Sequence, residues 1–231
     1  EKIFARLVEK GKWSEEKAKD VLHKIHFENH LDKFEDCGLI IEAIVENIDI
    51  KKSVFGAIED VVDENCVLAT NTSSLSIAAI SSAVKISSRV MGVHFFNPAP
   101  LMPLVEIIPS LTSAQEKVDE IRALIDGWGK VTVMAKDTPG FIVNRVARPF
   151  YSEAIKLYEE GVADIPTIDW ALKAIGGFRM GPFELTDLIG HDVNYVVTET
   201  VWTQFFYDPR FKPSITQKRL LEAGLYGRKS K

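Results

Sequence analysis

Apolar and polar positions alternate in a regular order along the first part of this chain. Leu39-Ile40-Ile41-Glu42-Ala43-Ile44-Val45 is nearly continuous in apolar side chains, the pattern of a short strand buried on both faces. Cys66 to Thr70, Val90 to Val93, Leu104 to Ile108 and Val131 to Met134 repeat it. Between these runs the apolar spacing becomes helical. Val54, Phe55, Ile58, Val61 and Val62 mark one face over Lys51 to Val62, and a shorter pattern covers Ser76 to Ala83. Ser113 to Trp128 predicts a helix joining the last two strands. Strands alternating with helices over short connections predict an α/β unit with a parallel sheet. Ahead of it, Glu1 to about Lys24 reads as two helices separated by Gly11. Ser14 caps the second, and Glu15 and Glu16 occupy its first turn.

After Lys136 the strand pattern stops. Thr138-Pro139 predicts a helix start, because proline suits the first helical position. Helical periodicity then runs through Phe141 to Glu160, Ile165 to Ile175, Pro182 to Phe206 and Ser214 to Ala223, broken at Gly176-Gly177 and Gly181. The expected division is an α/β domain over 1–136 and an all-helical domain over 137–231.

Composition narrows the class. An apolar share of 46% beside a charged share of 26% is enough to bury a core, which excludes disorder as the main description. With 28 basic and 33 acidic side chains the net charge is −5, against the basic excess of a nucleic-acid binder. Cys37 and Cys66 make no disulfide framework, so a reducing compartment is expected. No apolar run is long enough to span a bilayer and no signal peptide is visible, so the expected location is cytoplasmic. The chain opens without Met inside an amphipathic pattern, so it is expected to be part of something longer.

Three polar groups fall where open α/β sheets place their ligands, at or near strand ends. Asn71-Thr72-Ser73-Ser74 follows one apolar run, His94-Phe95-Phe96-Asn97-Pro98 follows another, and Glu106 sits inside a third. A histidine beside a carboxylate is the usual arrangement of a general base: the acid fixes the tautomer and stabilises the imidazolium. Glu106, in an otherwise apolar strand, needs a partner, and His94 is the natural one across the turn Asn97-Pro98-Ala99-Pro100. Each residue also has a plainer reading. A strand-end histidine serves as a structural hydrogen-bonding group, a glutamate in a strand faces solvent, and Asn-Thr-Ser-Ser makes a turn or a helix cap.

The ordered set Asn71-Thr72-Ser73-Ser74-Leu75, His94-Phe95-Phe96-Asn97-Pro98, Leu104-Val105-Glu106, Lys136-Asp137-Thr138-Pro139-Gly140-Phe141-Ile142-Val143-Asn144-Arg145 and Gly181-Pro182-Phe183-Glu184-Leu185 resembles the 3-hydroxyacyl-CoA dehydrogenases, including the bacterial 3-hydroxybutyryl-CoA dehydrogenases. The resemblance runs from about Leu39 to the C-terminus. It implies a Rossmann-like NAD-binding domain followed by a helical domain that also forms a homodimer. It implies oxidation of a 3-hydroxyacyl-CoA to a 3-ketoacyl-CoA, in fatty-acid oxidation or short-chain acid metabolism. His94 would be the general base, Glu106 its orienting partner, and Ser73 a hydrogen-bond donor to the reacting oxygen. Asn97 and Asn144 would help hold the substrate, Asn144 within the catalytic set. Glu46, Lys51, Asn71, Ser73, Asn97 and Lys229 would line the NAD site. Read without the resemblance, Lys51 and Lys229 are solvated surface lysines.

Departures from the family pattern carry their own expectations. No glycine-rich phosphate loop follows a strand here, and Gly127-Trp128-Gly129 lies at a helix end, so the N-terminal βαβ unit of the sheet domain is expected to be missing. Pro103 stands where a basic residue is expected before Leu-Val-Glu. A second class of function therefore stands beside the first: a non-catalytic fragment serving as a dimerisation or acyl-CoA-binding module. His23, His26 and His30 have the residue type for a metal but no supporting cysteine, and no metal is expected.

Overall fold

The computed structural model describes residues 2–230. Glu1, the first residue of the expected N-terminal helix, and Lys231 lie outside the described residues. Five strands form one sheet: β1 (Leu39–Glu42), β2 (Val67–Thr70), β3 (Val90–Phe95), β4 (Leu104–Pro109) and β5 (Val131–Met134), side by side in that order. Helices α1 (Lys2–Glu9) and α2 (Glu15–His23) precede the sheet, while α3 (Ile48–Glu59), α4 (Ile77–Ser81) and α5 (Gln115–Gly127) lie between its strands. Helices α6 (Val143–Glu159), α7 (Ile165–Ala174), α8 (Pro182–Ile189), α9 (His191–Gln204) and α10 (Ile215–Glu222) complete the described chain.

The period-2 alternation of the strands sorts the core onto two faces. Leu68, Val90 and Ile108 pack with Phe55, Ile58, Ile77 and Ile80 of α3 and α4. Val67, Ala69, Met91, Val93, Val105 and Ile107 pack with Val118, Ile121 and Ile125 of α5. Both faces are covered, which is why the strands read as continuous apolar runs.

One strand pairing departs from the expected parallel sheet. β1, β2 and β3 are parallel, as are β4 and β5, but β3 and β4 are antiparallel. The reason is length. A parallel return needs a crossover of about a dozen residues or more, and the short loop after β3 has room only for a reversal. Lys130 pins that loop, donating to the carbonyls of Ala99 and Met102 at 2.5 and 2.9 Å. The reversal sets His94 directly opposite Glu106.

Two helical boundaries also differ. Thr138-Pro139-Gly140 is a turn rather than a helix start. Gly140 and Phe141 adopt φ of 72° and 46°, which a helix does not allow, and α6 begins at Val143. Asp137, just ahead of the turn, caps α4 instead, accepting from the amides of Ile77 and Ala78 and from Ser76 Oγ. The expected helix over Pro182 to Phe206 is two helices, broken at Gly190 with φ of 97°. A Cβ there would approach only the movable ends of Asp192 and Lys229, and it is the positive φ that favours glycine.

At the far edge of α3 a buried carboxylate closes the sheet unit. Glu59 accepts from the amides of Lys85 and Ile86 at 2.6 and 2.9 Å and pairs with buried Arg89 at 3.3 Å. Burial opposes its ionisation, but the Ile86 and Lys85 amides and the Arg89 guanidinium outweigh it and hold the carboxyl below its ordinary 4.5. A group lowered on folding stabilises the protein above its unfolded value, and that contribution fades as pH falls through the folded one. Glu59→Gln should therefore cost about 1–3 kcal/mol near neutrality. The gap from the unsubstituted protein should narrow on acidification below the carboxylate range, as read from urea midpoints at both pH values.

Candidate active site

The polar residues singled out from the sequence gather at the ends of β1, β2 and β3, facing the start of α6. His94, the fifth residue of β3, is buried, and its Nδ1 lies 2.7 Å from Glu106 Oε2. Glu106 is fully buried in β4. Its other oxygen, Oε1, accepts the amides of Ile142 and Val143 at 2.9 Å each. These amides belong to the entry of α6, a helix with no side-chain cap from its own flanking residues. Glu106 is thus both the partner of His94 and the cap of α6.

This geometry fixes the imidazole. A carboxylate accepts only, so Nδ1 carries a proton, and in the neutral ring the lone pair is the one on Nε2. Nε2 makes no hydrogen bond among the described residues. Phe96 and Phe141 flank the ring, at centroid distances of 4.7 and 5.7 Å. The result is a histidine locked at one nitrogen, walled by aromatics, and open at the basic nitrogen.

Ser73 and Asn144 come together from separate halves of the chain. Asn144 Nδ2, in the first turn of α6, donates to the Ser73 carbonyl at 3.5 Å. Asn71 ties β2 to β3, its Oδ1 accepting from the Phe95 amide at 2.8 Å. Glu46 Oε1 accepts from Thr72 Oγ1, from the Ser73 amide at 3.0 Å and from Ser74 Oγ at 3.3 Å. Asn97 is exposed on the loop after β3.

The lysines divide. Lys51 is no surface lysine: it is 1% exposed, with Nζ 2.7 Å from Glu42 Oε1 and 3.4 Å from Glu46 Oε2. Lys229 is exposed and pairs with Asp192 of α9 at 2.9 Å. Asp192 lines a cleft of about 510 Å³ that Glu46, Lys51, Asn71 and Ser73 line from the sheet side and Val193, Val196 and Thr200 from α9, whereas Lys229 does not line it. Sequence reading missed Glu42, which also accepts from Thr70 Oγ1 at 2.8 Å. The signal was present, since Glu42 is a carboxylate inside an apolar run, just as Glu106 is.

The cleft opens at the carboxyl ends of parallel strands, where such folds take nucleotides, and is lined by a carboxylate, an amide and a hydroxyl. A glycine-rich turn for the pyrophosphate is not among the described residues. No group of three metal-ligating side chains forms among them either, and no helix is long and apolar enough to cross a membrane.

Comparison with known proteins agrees with this arrangement. The family model described as "3-hydroxyacyl-CoA dehydrogenase, NAD binding domain" matches residues 1–138, and that of the C-terminal domain of the same family matches residues 140–231. The chain is 46% identical over 231 residues to the 3-hydroxyadipyl-CoA dehydrogenase of Escherichia coli, covering 99% of this chain and 49% of that protein. It is 38% identical over 231 residues to the 3-hydroxybutyryl-CoA dehydrogenase of Clostridioides difficile, covering 100% of this chain and 82% of that one. Against the crystal structure of the (S)-3-hydroxybutyryl-CoA dehydrogenase of Ralstonia eutropha the TM-score is 0.95 at 34% identity, over 99% of this chain and 81% of that one. The catalytic-type pair, the strand-end polar cluster and these likenesses lead to one assignment: the chain belongs to the 3-hydroxyacyl-CoA dehydrogenase family.

Proposed function

We propose that the chain carries the NAD-dependent oxidation of (S)-3-hydroxyacyl-CoA thioesters, such as 3-hydroxybutyryl-CoA, to 3-ketoacyl-CoA. The single observation that carries this reading is the buried His94–Glu106 pair with an unengaged Nε2. The residues lining the cleft would hold NAD, which would supply the acceptor for the hydride leaving C3. His94 Nε2 takes the proton of the 3-hydroxyl, and the imidazolium so formed is held by Glu106. In the reverse direction the same nitrogen returns the proton to the forming alkoxide. The Ser73 hydroxyl donates to the reacting oxygen, so its developing charge meets a placed donor. Asn144 and Asn97 hold the substrate from α6 and from the loop after β3.

Glu46, Asn71 and Ser73 line the cleft that would hold the cofactor. Further parts of the proposal are a division of the chain at 136/137 into cofactor and substrate domains, a homodimer formed through the helical half, a cytoplasmic location and a place in fatty-acid oxidation. The identity of the chain to the E. coli and C. difficile dehydrogenases supports the substrate class. The test is reduction of NAD by the two enantiomers of 3-hydroxybutyryl-CoA. The S form should give NADH and acetoacetyl-CoA, with the R form turned over at least about tenfold more slowly, because a fixed base and a fixed hydride acceptor select one face. Equal rates, or none, would refute the reading.

A further inference from the structure

We infer that Glu42, Lys51 and Glu46 form a positioning relay that sets where Ser73 stands, and that Glu46 acts on the reaction through that turn. This role rests on the dehydrogenase reading above. Glu46 divides its two oxygens. Oε2 faces Lys51 Nζ at 3.4 Å, while Oε1 alone gathers Thr72 Oγ1, the Ser73 amide and Ser74 Oγ. Three successive residues of the turn therefore hang on one carboxylate oxygen. Lys51 is itself anchored to Glu42 at 2.7 Å, and Glu42 is 5% exposed at the end of β1. The chain of contacts runs from the rigid end of the sheet, through a buried ammonium, to the residue proposed to donate to the reacting oxygen.

The charges explain why the relay takes this form. An ammonium with 1% exposure needs carboxylate partners, and two carboxylates share it here. Glu46 is the exposed end of the three, its side chain 40% accessible. It stays fixed because its acceptor sites are engaged on both oxygens. A turn left to its own local hydrogen bonds would sample several positions, and a donor displaced by a fraction of an ångström loses much of its worth at a developing charge. Glu46 and Lys51 are accordingly positioning residues, and Ser73 is the group they place.

The test pairs a measurement on the free protein with a mutant cycle. In Glu46→Gln, amide hydrogen exchange across residues 71–75 should rise at least about tenfold while that of β2 is unchanged. With acetoacetyl-CoA and NADH, Glu46→Gln should lower kcat about tenfold and leave KM for the thioester within about twofold. On a Ser73→Ala background the same substitution should cost less than about twofold, because the group it positions is gone. Unchanged exchange in the turn, or an undiminished cost on the Ser73→Ala background, would overturn the relay and leave Glu46 as a direct cofactor contact or a structural acid. Absence of turnover in the unsubstituted protein would instead overturn the dehydrogenase reading, and this role with it.

Discussion

Replacing His94 by Gln should lower kcat for acetoacetyl-CoA reduction by roughly 10²–10⁴-fold, the usual contribution of a placed acid–base group. Glutamine is close to histidine in reach and supplies an N–H toward Glu106, so the buried carboxylate keeps a donor in place of the 2.7 Å contact from Nδ1. The amides of Ile142 and Val143 continue to hold its other oxygen. The fold should therefore survive, with far-UV circular dichroism and the thermal midpoint little changed. What glutamine lacks is a nitrogen that can take up a proton and return it. KM for the thioester should move little, since the binding residues on α6 and the loop after β3 are untouched. A variant retaining turnover within about twofold would remove His94 from the mechanism.

Glu106→Gln should be nearly as damaging, for a reason that follows from counting donors and acceptors. The carboxylate accepts from three donors: His94 Nδ1 on one oxygen and two backbone amides on the other. A glutamine amide has one accepting end and one donating end. If its oxygen faces the two backbone amides, its NH₂ faces Nδ1, and His94 must move its proton to Nε2, which removes the base. If its oxygen faces His94, the NH₂ opposes two N–H groups at the entry of α6. The second choice leaves two buried donors unpaired at about 1–3 kcal/mol each, whereas the first only relocates a proton. The first should prevail. The expected result is a kcat loss of about 10²-fold or more with a stability loss under about 2 kcal/mol. Steady-state kinetics and urea unfolding measured on one preparation check both. A large loss of stability with activity retained would show that Glu106 is only a cap.

Much of the sheet was legible in the sequence because burial on both faces writes strands as apolar runs. Those runs located all five described strands to within a few residues. His94 and Glu106 were legible for the same reason, as polar groups embedded in apolar patterns. The partnership of the two was expected from the turn between them, but the direction of the strands was not: that β3 and β4 run antiparallel is a matter of register between separate segments. The start of α6 was misplaced because its cap is not local. Local signals favoured Thr138-Pro139, whereas the cap is Glu106, more than thirty residues earlier in the chain. Lys51 illustrates the same limit. Read without the resemblance, a lysine on an amphipathic helix is a surface residue; it is buried because Glu42 and Glu46 come from the strand end beside it. Lys229, by contrast, remains at the surface, paired with Asp192 at the rim of the cleft rather than in it.

The central claim is that this site moves a hydride and a proton at C3 of an acyl-CoA. The most direct measurement is acetoacetyl-CoA-dependent oxidation of NADH deuterated at C4 of the nicotinamide, on the protein carrying these residues, with the thioester product analysed by mass spectrometry. The account predicts 3-hydroxybutyryl-CoA of S configuration with the deuterium at C3, formed by the unsubstituted protein and all but lost in His94→Gln. Thioester bound without any deuterium transfer would contradict it, and would make the chain a binding module built on a dehydrogenase fold.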